Sequence, residues 1–222
     1  MNSSQLSESL QDYLKEIYKL QEEQGRATTS AIAERMGVAS PSVTAVLKRL
    51  TALGLVHHER YRGAVLTPAG RKVAVEVIRH HRLLEQYLSE TLGLGIDAVH
   101  AEADRLEHVL SEEVEAVIDE SLGYPTHDPH GDPIPDARLN VESSSLRALS
   151  SLQAGEEATI RRIPDGKPEL LRYLSELSLL PGARVTVAER APLSGPLTVI
   201  VGHERHAIAE EIALHIGVSS SS

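Results

Sequence analysis

Leu10, Leu14, Ile17 and Leu20 recur at helical spacing with polar residues between them, which predicts an amphipathic helix over about residues 6–23. A short helix is expected over Thr29–Met36, followed by a break at Gly37. Ser40-Pro41 then gives a strong helix start, serine as N-cap with proline in the first turn. The helix it opens, SPSVTAVLKRLTALG, stops at Gly54. Helix, glycine-containing turn and helix is the spacing of a helix-turn-helix. The next stretch, LVHHERYRGAVLT, reads as two short β-type runs around a turn at Tyr61–Gly63, the hairpin of a wing.

Thr67-Pro68 repeats the start signal and opens a long helix to about Leu92. A second helix is expected over about Ile96–Leu110, and a third, capped by Ser111 with Glu112 and Glu113, runs to about Leu122. Residues 123–154 hold four prolines and a Ser-rich run, which reads as loop and linker. From Gly155 the pattern changes to short strands, ATIRRI, ARVTVAE and PLTVIVG, with a Leu-rich helix over about Pro168–Leu177 between the first two. Turns at Pro181-Gly182 and Ser194-Gly195-Pro196 separate them, so a small barrel is expected, with a disordered SSSS tail. The fold class is α+β, mainly helical.

Composition narrows the chemistry. Hydrophobic residues make up 41% of the 222 residues, yet Phe and Trp are absent, so the core must be largely aliphatic. With no cysteine, disulfides and Cys-zinc sites are excluded. No apolar run approaches the roughly 20 residues of a spanning helix. The N-terminus lacks the basic and apolar regions of a signal peptide, so a cytoplasmic protein with no membrane partner is expected. The net charge of -10 is unevenly spread: residues 1–72 carry ten basic against seven acidic side chains, and the remainder twelve against twenty-five. An electropositive head on an acidic body suits a DNA reader joined to something that gathers cations.

On the helix opened by Pro41, Val43, Val46, Leu47 and Leu50 fall on one side. Pro41, Ala45, Lys48 and Ala52 face the other way, flanked by Ser42, Thr44 and Arg49. Small and hydroxylic residues at the N-terminal end allow close approach to base edges in a major groove. Lys48, Arg49, Arg60 and Arg62 would add phosphate contacts, the last two from the wing. An ordinary helical hairpin with a solvated basic face is the plainer alternative.

A second constellation lies in VHAEADRLEHVL. On a continuous helix His100, Asp104, Glu107 and His108 would fall within about a quarter-turn of one another. His81 and Glu85 share a face of the preceding helix, and Asp12 on the first helix is a further contributor. Nitrogen and oxygen donors without sulfur suit Mn(II), Fe(II) or Zn(II). His127, Asp128, His130 and Asp132 also look like a metal tract, but sit among prolines and read as a polar loop.

These residues carry a family likeness. DYLKEIYKL, IAERMGVASPSVTAVLKRL, YRGAVLTPAGRKVA, HRLLEQYL, EADRLEHVLSEEVE and DPHGDPIP resemble successive segments of the diphtheria toxin repressor family, the iron- and manganese-dependent regulators. The last 70 or so residues resemble its SH3-like, FeoA-type third domain. The likeness implies a winged-helix DNA-binding domain over 1–72, a helical metal-binding and dimerisation domain over 73–142, a linker over 143–154, an SH3-like barrel over 155–218 and a tail over 219–222. It implies a homodimeric repressor that binds a palindromic double-stranded operator when Mn(II), or next Fe(II), fills two sites per protomer, and no small-molecule substrate. Asp12, Asp104, Glu107 and His108 match the switching site; His81, Glu85 and His100 match an ancillary site, to which the third domain contributes in some members, with Glu169 nearby here. Asp12 and Asp104 stand where iron-type members place Met and Cys, a manganese-type pattern. Lys15, however, stands where manganese-type members carry a Glu that holds a close metal pair, which favours two separated sites.

Two other readings compete. A metal-dependent hydrolase would use similar ligands, but HExxH, phosphate-cradling and nucleophile-elbow motifs are missing. A winged-helix regulator responding to an organic ligand would leave the ligand faces unexplained.

Overall fold

Helix α1 (Glu8–Gln24) forms where the apolar spacing predicts it, burying Leu10, Leu14, Ile17 and Leu20 along one face with Tyr13 and Tyr18. The computed structural model describes residues 6–59, 62–142, 145–165, 167–193 and 195–220. Helix α2 (Thr29–Met36) is capped by Thr28, whose hydroxyl accepts from the Ala31 amide at 3.1 Å, and ends at left-handed Gly37. Helix α3 (Ser40–Ala52) starts one residue earlier than expected: Ala39, not Ser40, is the N-cap. Pro41 supplies the pre-set φ of the first turn, and Ser40 O accepts from the Thr44 hydroxyl at 3.0 Å.

Strands β1 (Val56–Glu59) and β2 (Gly63–Leu66) pair antiparallel as the wing. Ala27 bridges to Ala64, and a β-carbon at Gly63 would lie 2.5 Å from Ala27 O, so the close approach requires glycine. The Gln21 side chain accepts from the Leu66 amide at 2.8 Å, tying the wing to α1. Helix α4 (Pro68–Glu90) is capped by Thr67, which accepts from the Gly70 amide.

Helix α5 (Val99–Leu106) is shorter than the expected Ile96–Leu110, so Glu107 and His108 lie in the turn beyond it, ahead of α6 (Glu112–Ser121). Contacts divide the chain into two compact units. One comprises Met1–His81, Asp104–Val117 and Pro135–Val141; the other comprises Arg82–Ala103, Ile118–Ile134 and Glu142–Ser222. The first has a core of α1, α2 and α3 side chains with Leu55, Val56, Ala64 and Val73–Val75, aliphatic apart from two tyrosines.

In the second unit β3 (Arg147–Ala148), β4 (Glu157–Arg162), β5 (Arg184–Arg190), β6 (Leu197–Val201), β7 (Glu204–Ile208) and β8 (Gly217–Ser220) form one antiparallel sheet, ordered β3-β8-β4-β5-β6-β7. Helices α7 (Pro168–Glu176) and α8 (Glu210–Leu214) accompany it, and the core is again aliphatic. Three expectations change here. The sheet is open where a barrel was expected: its edges are β3 and β7, and β3 offers only two residues to a partner. The expected linker contains β3, held by Arg147 and Ala148 opposite Val218 and Gly217. Ser219 and Ser220, expected in a disordered tail, extend β8 against Thr159 and Ala158, while Ser221 and Ser222 lie outside the described residues.

Candidate metal centre

Glu107 is the centre of a buried network in the first unit, its side chain fully enclosed. Its Oε1 accepts from Lys15 Nζ at 2.6 Å and lies 3.4 Å from His108 Nε2, while Oε2 lies 2.5 Å from His81 Nδ1. Lys15 also donates to Asp104 Oδ1 at 3.0 Å, and His81 Nδ1 lies 3.3 Å from the same oxygen. Burial alone would lower the Lys15 pKa, but the Glu107 and Asp104 carboxylates outweigh it and hold the ammonium charged far above neutral pH.

His108 Nε2 meets Asp12 Oδ1 at 2.9 Å, and the hydrogen bond to Asp12 raises its pKa. Its other nitrogen faces Gln11 Oε1 at 2.8 Å, and the Gln11 amide nitrogen donates to Leu6 O. With its NH₂ committed there, Gln11 presents oxygen to His108, so Nδ1 donates and Nε2 is aimed at Asp12 and Glu107. An outer partner that fixes the tautomer in this way is the usual companion of a metal-ligating histidine. His80 braces the same turn, with Nδ1 at 3.0 Å from Glu107 O and Nε2 at 2.9 Å from Glu115 Oε2. Both partners accept, so His80 is doubly protonated; despite burial, the Glu115 and Glu107 bonds raise its pKa.

One donor atom each from Asp12, Glu107 and His108 lies within 4.8 Å of the others, which fits a single ion held by two carboxylates and one imidazole. The charges fit as well. Asp12, Asp104 and Glu107 bring three negative charges and Lys15 returns one, leaving the balance that a divalent cation neutralises. Asp104, expected among the ligands, lies outside this three-donor set and is engaged by Lys15 and His81.

In the second unit Glu85 Oε1 lies 2.9 Å from His100 Nδ1, bringing together two of the three residues expected in the ancillary site. Glu169 is exposed at the start of α7 and pairs with Arg172 at 3.9 Å. Asp128 and His130, read from sequence as polar loop, are buried, and they gather around Glu85.

On α3 the expected faces hold. Val43, Leu47 and Leu50 are fully buried and Val46 packs behind them, while Pro41, Ser42, Ala45, Lys48 and Arg49 are exposed and Thr44 half-buried. Arg62 is exposed on the wing, 3.3 Å from Glu59; Arg60 lies outside the described residues.

The chain matches the family described as iron dependent repressor, N-terminal DNA binding domain, over residues 5–64. It matches the iron dependent repressor metal binding and dimerisation domain over 67–136 and the FeoA domain over 147–220. The iron-dependent repressor IdeR of Mycobacterium tuberculosis is 36% identical over 222 residues, covering 95% of this chain and 96% of the relative. The chain belongs to the diphtheria toxin repressor family. Its members are transcriptional repressors, not enzymes, so the hydrolase reading is dropped. A solved manganese-dependent transcriptional repressor in complex with manganese shares 36% identity and a TM-score of 0.88, covering 96% of this chain and all of that one. The manganese regulator SloR gives a TM-score of 0.78 at 29% identity, covering 96% and 98%. The open sheet of the second unit is thus the FeoA, SH3-like part of a metalloregulator.

Sequence reasoning missed four members of these networks. Gln11 and His80 carry no ligand signature, and they act through the tautomer and the turn. Asp128 and His130 were visible as residue types, but their burial depends on tertiary contacts. Among the described residues, no helix is long and apolar enough to cross a membrane.

Proposed function

We infer that this repressor senses a divalent metal at Asp12, Glu107 and His108, and that the bound ion fixes α1 against the α5–α6 turn so that a homodimer grips a palindromic operator. The convergence of those three side chains, one from α1 and two from the turn, carries the reading. Helix α1 shares one core with α2, α3 and the wing, so where α1 sits bears directly on where the reading head points. Docking α1 pairs Lys15 with Glu107 and Asp104 but also brings the Asp12 carboxylate towards them, and an ion held by Asp12, Glu107 and His108 turns that remaining repulsion into attraction. Metal then shifts the population of docked helix.

Asp104 lies just outside the three-donor set and His81, Glu85 and His100 form ancillary positions, giving two separated sites per protomer. Two carboxylates and an imidazole, without sulfur, suit a hard ion, so Mn(II) activates at least as well as Fe(II). On the DNA side Pro41, Ser42, Thr44 and Ala45 meet base edges, and Lys48, Arg49, Arg60 and Arg62 meet phosphates. Exposed Leu106, Val109, Val114 and Val117 along the end of α5 and α6 form the apolar face across which protomers pair. The protein acts in the cytoplasm, and its three parts are the winged helix to residue 72, the helical domain over 73–142 and the FeoA-type domain over 155–218, joined by 143–154.

The test is operator binding with Mn(II), anaerobic Fe(II) and a chelator, on the native chain and on Asp12→Ala. Metal-restored binding that Asp12→Ala weakens is the expected result. Binding that ignores the chelator, or that needs an organic ligand, points to the alternative regulator.

A further inference from the structure

The two edges of strand β2 bind different parts of the reading head. One edge pairs with β1 over Gly63–Leu66. Along the other, the Ala64 and Leu66 amides point away from β1, as alternate residues of an antiparallel strand do. The Ala64 amide donates to Ala27 O at 2.7 Å, and its carbonyl accepts from the Ala27 amide at 3.2 Å. The Leu66 amide donates to Gln21 Oε1 at 2.8 Å. The outer edge of the wing is therefore bound to the last turn of α1 and to the segment just after it.

The Ala27–Ala64 bonds are made by backbone alone and do not depend on the side chains. Gln21 is different, because its side chain supplies the acceptor for a half-buried amide. Asp12 and Gln21 stand nine residues apart in α1, which places them on opposite sides of the helix and about 13 Å apart along it. Helix α1 thus has two working faces, one turned to the metal donors and one to the wing. Its contact with α3 is apolar and non-directional, whereas a hydrogen bond fixes both distance and direction.

We propose that Gln21 is a positioning residue for operator binding: it sets the wing on α1, so that Arg62 takes its place on the phosphate backbone from the same helix that meets the metal. This rests on the reading that the position of α1 governs DNA binding. Arg62 is exposed on the wing, and its placement follows the strand that carries it. Without the Gln21 oxygen the Leu66 amide loses its acceptor and must find water, which draws the strand outward and Arg62 with it.

The test uses the full chain carrying Gln21→Met, which keeps the length and removes the acceptor, or Gln21→Glu, whose carboxylate still accepts from the Leu66 amide. Mn(II) affinity without DNA, read by calorimetry, should match the native value in both. With Mn(II) saturating, Gln21→Met should bind the operator more weakly, and its slope of log affinity against log salt should be shallower by about 1 as one phosphate contact is lost. Gln21→Glu should recover the native slope. Adding Arg62→Ala to Gln21→Met should change the slope no further. A purely structural role would lower the melting temperature of Gln21→Met and leave the slope alone. A native slope in Gln21→Met, an equally shallow slope in Gln21→Glu, or a further drop on adding Arg62→Ala overturns the proposal. Native operator binding that ignores Mn(II), with the two variants still differing in slope, supports Gln21 and removes the metal switch. If Gln21→Met fails to fold, amide exchange decides: a Leu66 amide protected in the native chain and in Gln21→Glu supports the tie, and fast exchange of that amide overturns it.

Discussion

Two carboxylate–imidazole clusters are built into this chain, and they neutralise their charge by different means. Around Glu107 the counter-charge is permanent and tethered: Lys15 bonds Glu107 and Asp104 directly. Around Glu85 the fixed cation is Arg82, 3.7 Å from Asp128 Oδ2, and burial with the neighbouring carboxylates still raises the Asp128 pKa, as Glu85 and Asp128 raise that of His130. The first cluster opens to water at Asp12 and Asp104, whose side chains are 36% and 45% exposed. In the second, Glu85 and His130 are 1% and 0% exposed. An open, pre-neutralised cluster can exchange its ion with the surroundings and so serve as a sensor. A sealed one exchanges slowly and suits a structural ion.

The largest effect should come from removing a ligand of the open cluster. His108→Ala or Glu107→Ala should raise the Mn(II) concentration needed for operator binding by about 100-fold or more, at or beyond the upper end for outer-shell losses. His130→Gln should leave metal-dependent operator binding in place. Metal-titrated gel shifts read both, and equal losses in the two would erase the distinction.

Next is Lys15→Ala. Breaking a buried ion pair on one side costs on the order of 3 kcal/mol, because Glu107 keeps its charge without its cation. The metal-free melting temperature should fall, and Mn(II) should recover more of it than in the native chain, since the ion then supplies charge that Lys15 supplied before. A metal-induced shift no larger than in the native protein would mean Lys15 is not the tethered counter-ion.

Gln11→Ala should be milder, weakening Mn(II) binding about 10-fold by releasing the His108 tautomer while leaving every ligand in place. Calorimetry reads this directly. Unchanged affinity would show that Gln11 only packs.

The smallest effect concerns pH. The folded pKa values of His108 and His80 are raised, so the stability they give the metal-free protein is fully present below their ordinary value and is lost as pH rises through the raised ones. Metal binding must displace the proton from His108 Nε2, so it should strengthen over the same rise. Melting curves with and without Mn(II) should therefore diverge with increasing pH. Parallel curves would show that no proton is exchanged.

Much of the reading head was legible in the sequence. Its elements are local: caps at Thr28 and Thr67, proline in the first turn of α3, glycines at turns, and a helical apolar period whose inward face is the buried one. The metal centre was legible in its residue types but less so in its geometry. Placing His100, Asp104, Glu107 and His108 within a quarter-turn requires one helix through His108, yet α5 ends at Leu106, and the turn that follows, braced by His80, delivers Glu107 and His108. The Asp128–His130 cluster was hidden because prolines and charges signal an exposed loop; only Gly131 beneath Arg161 and the His130–Ile163 bond bury it. Strand β7 escaped because it is an edge strand, four of whose five residues are not buried, and it shows little alternation.

Metal at Asp12, Glu107 and His108 is proposed to control DNA binding. Fluorescence anisotropy of a labelled operator, titrated with metal-free protein and then with Mn(II), tests it most directly on the native chain and His108→Ala side by side. The expected result is weak, salt-sensitive binding without metal, tight binding once Mn(II) is added to the native chain, and little response in the variant. Tight operator binding by the metal-free native protein, or an equal Mn(II) response in His108→Ala, would contradict it.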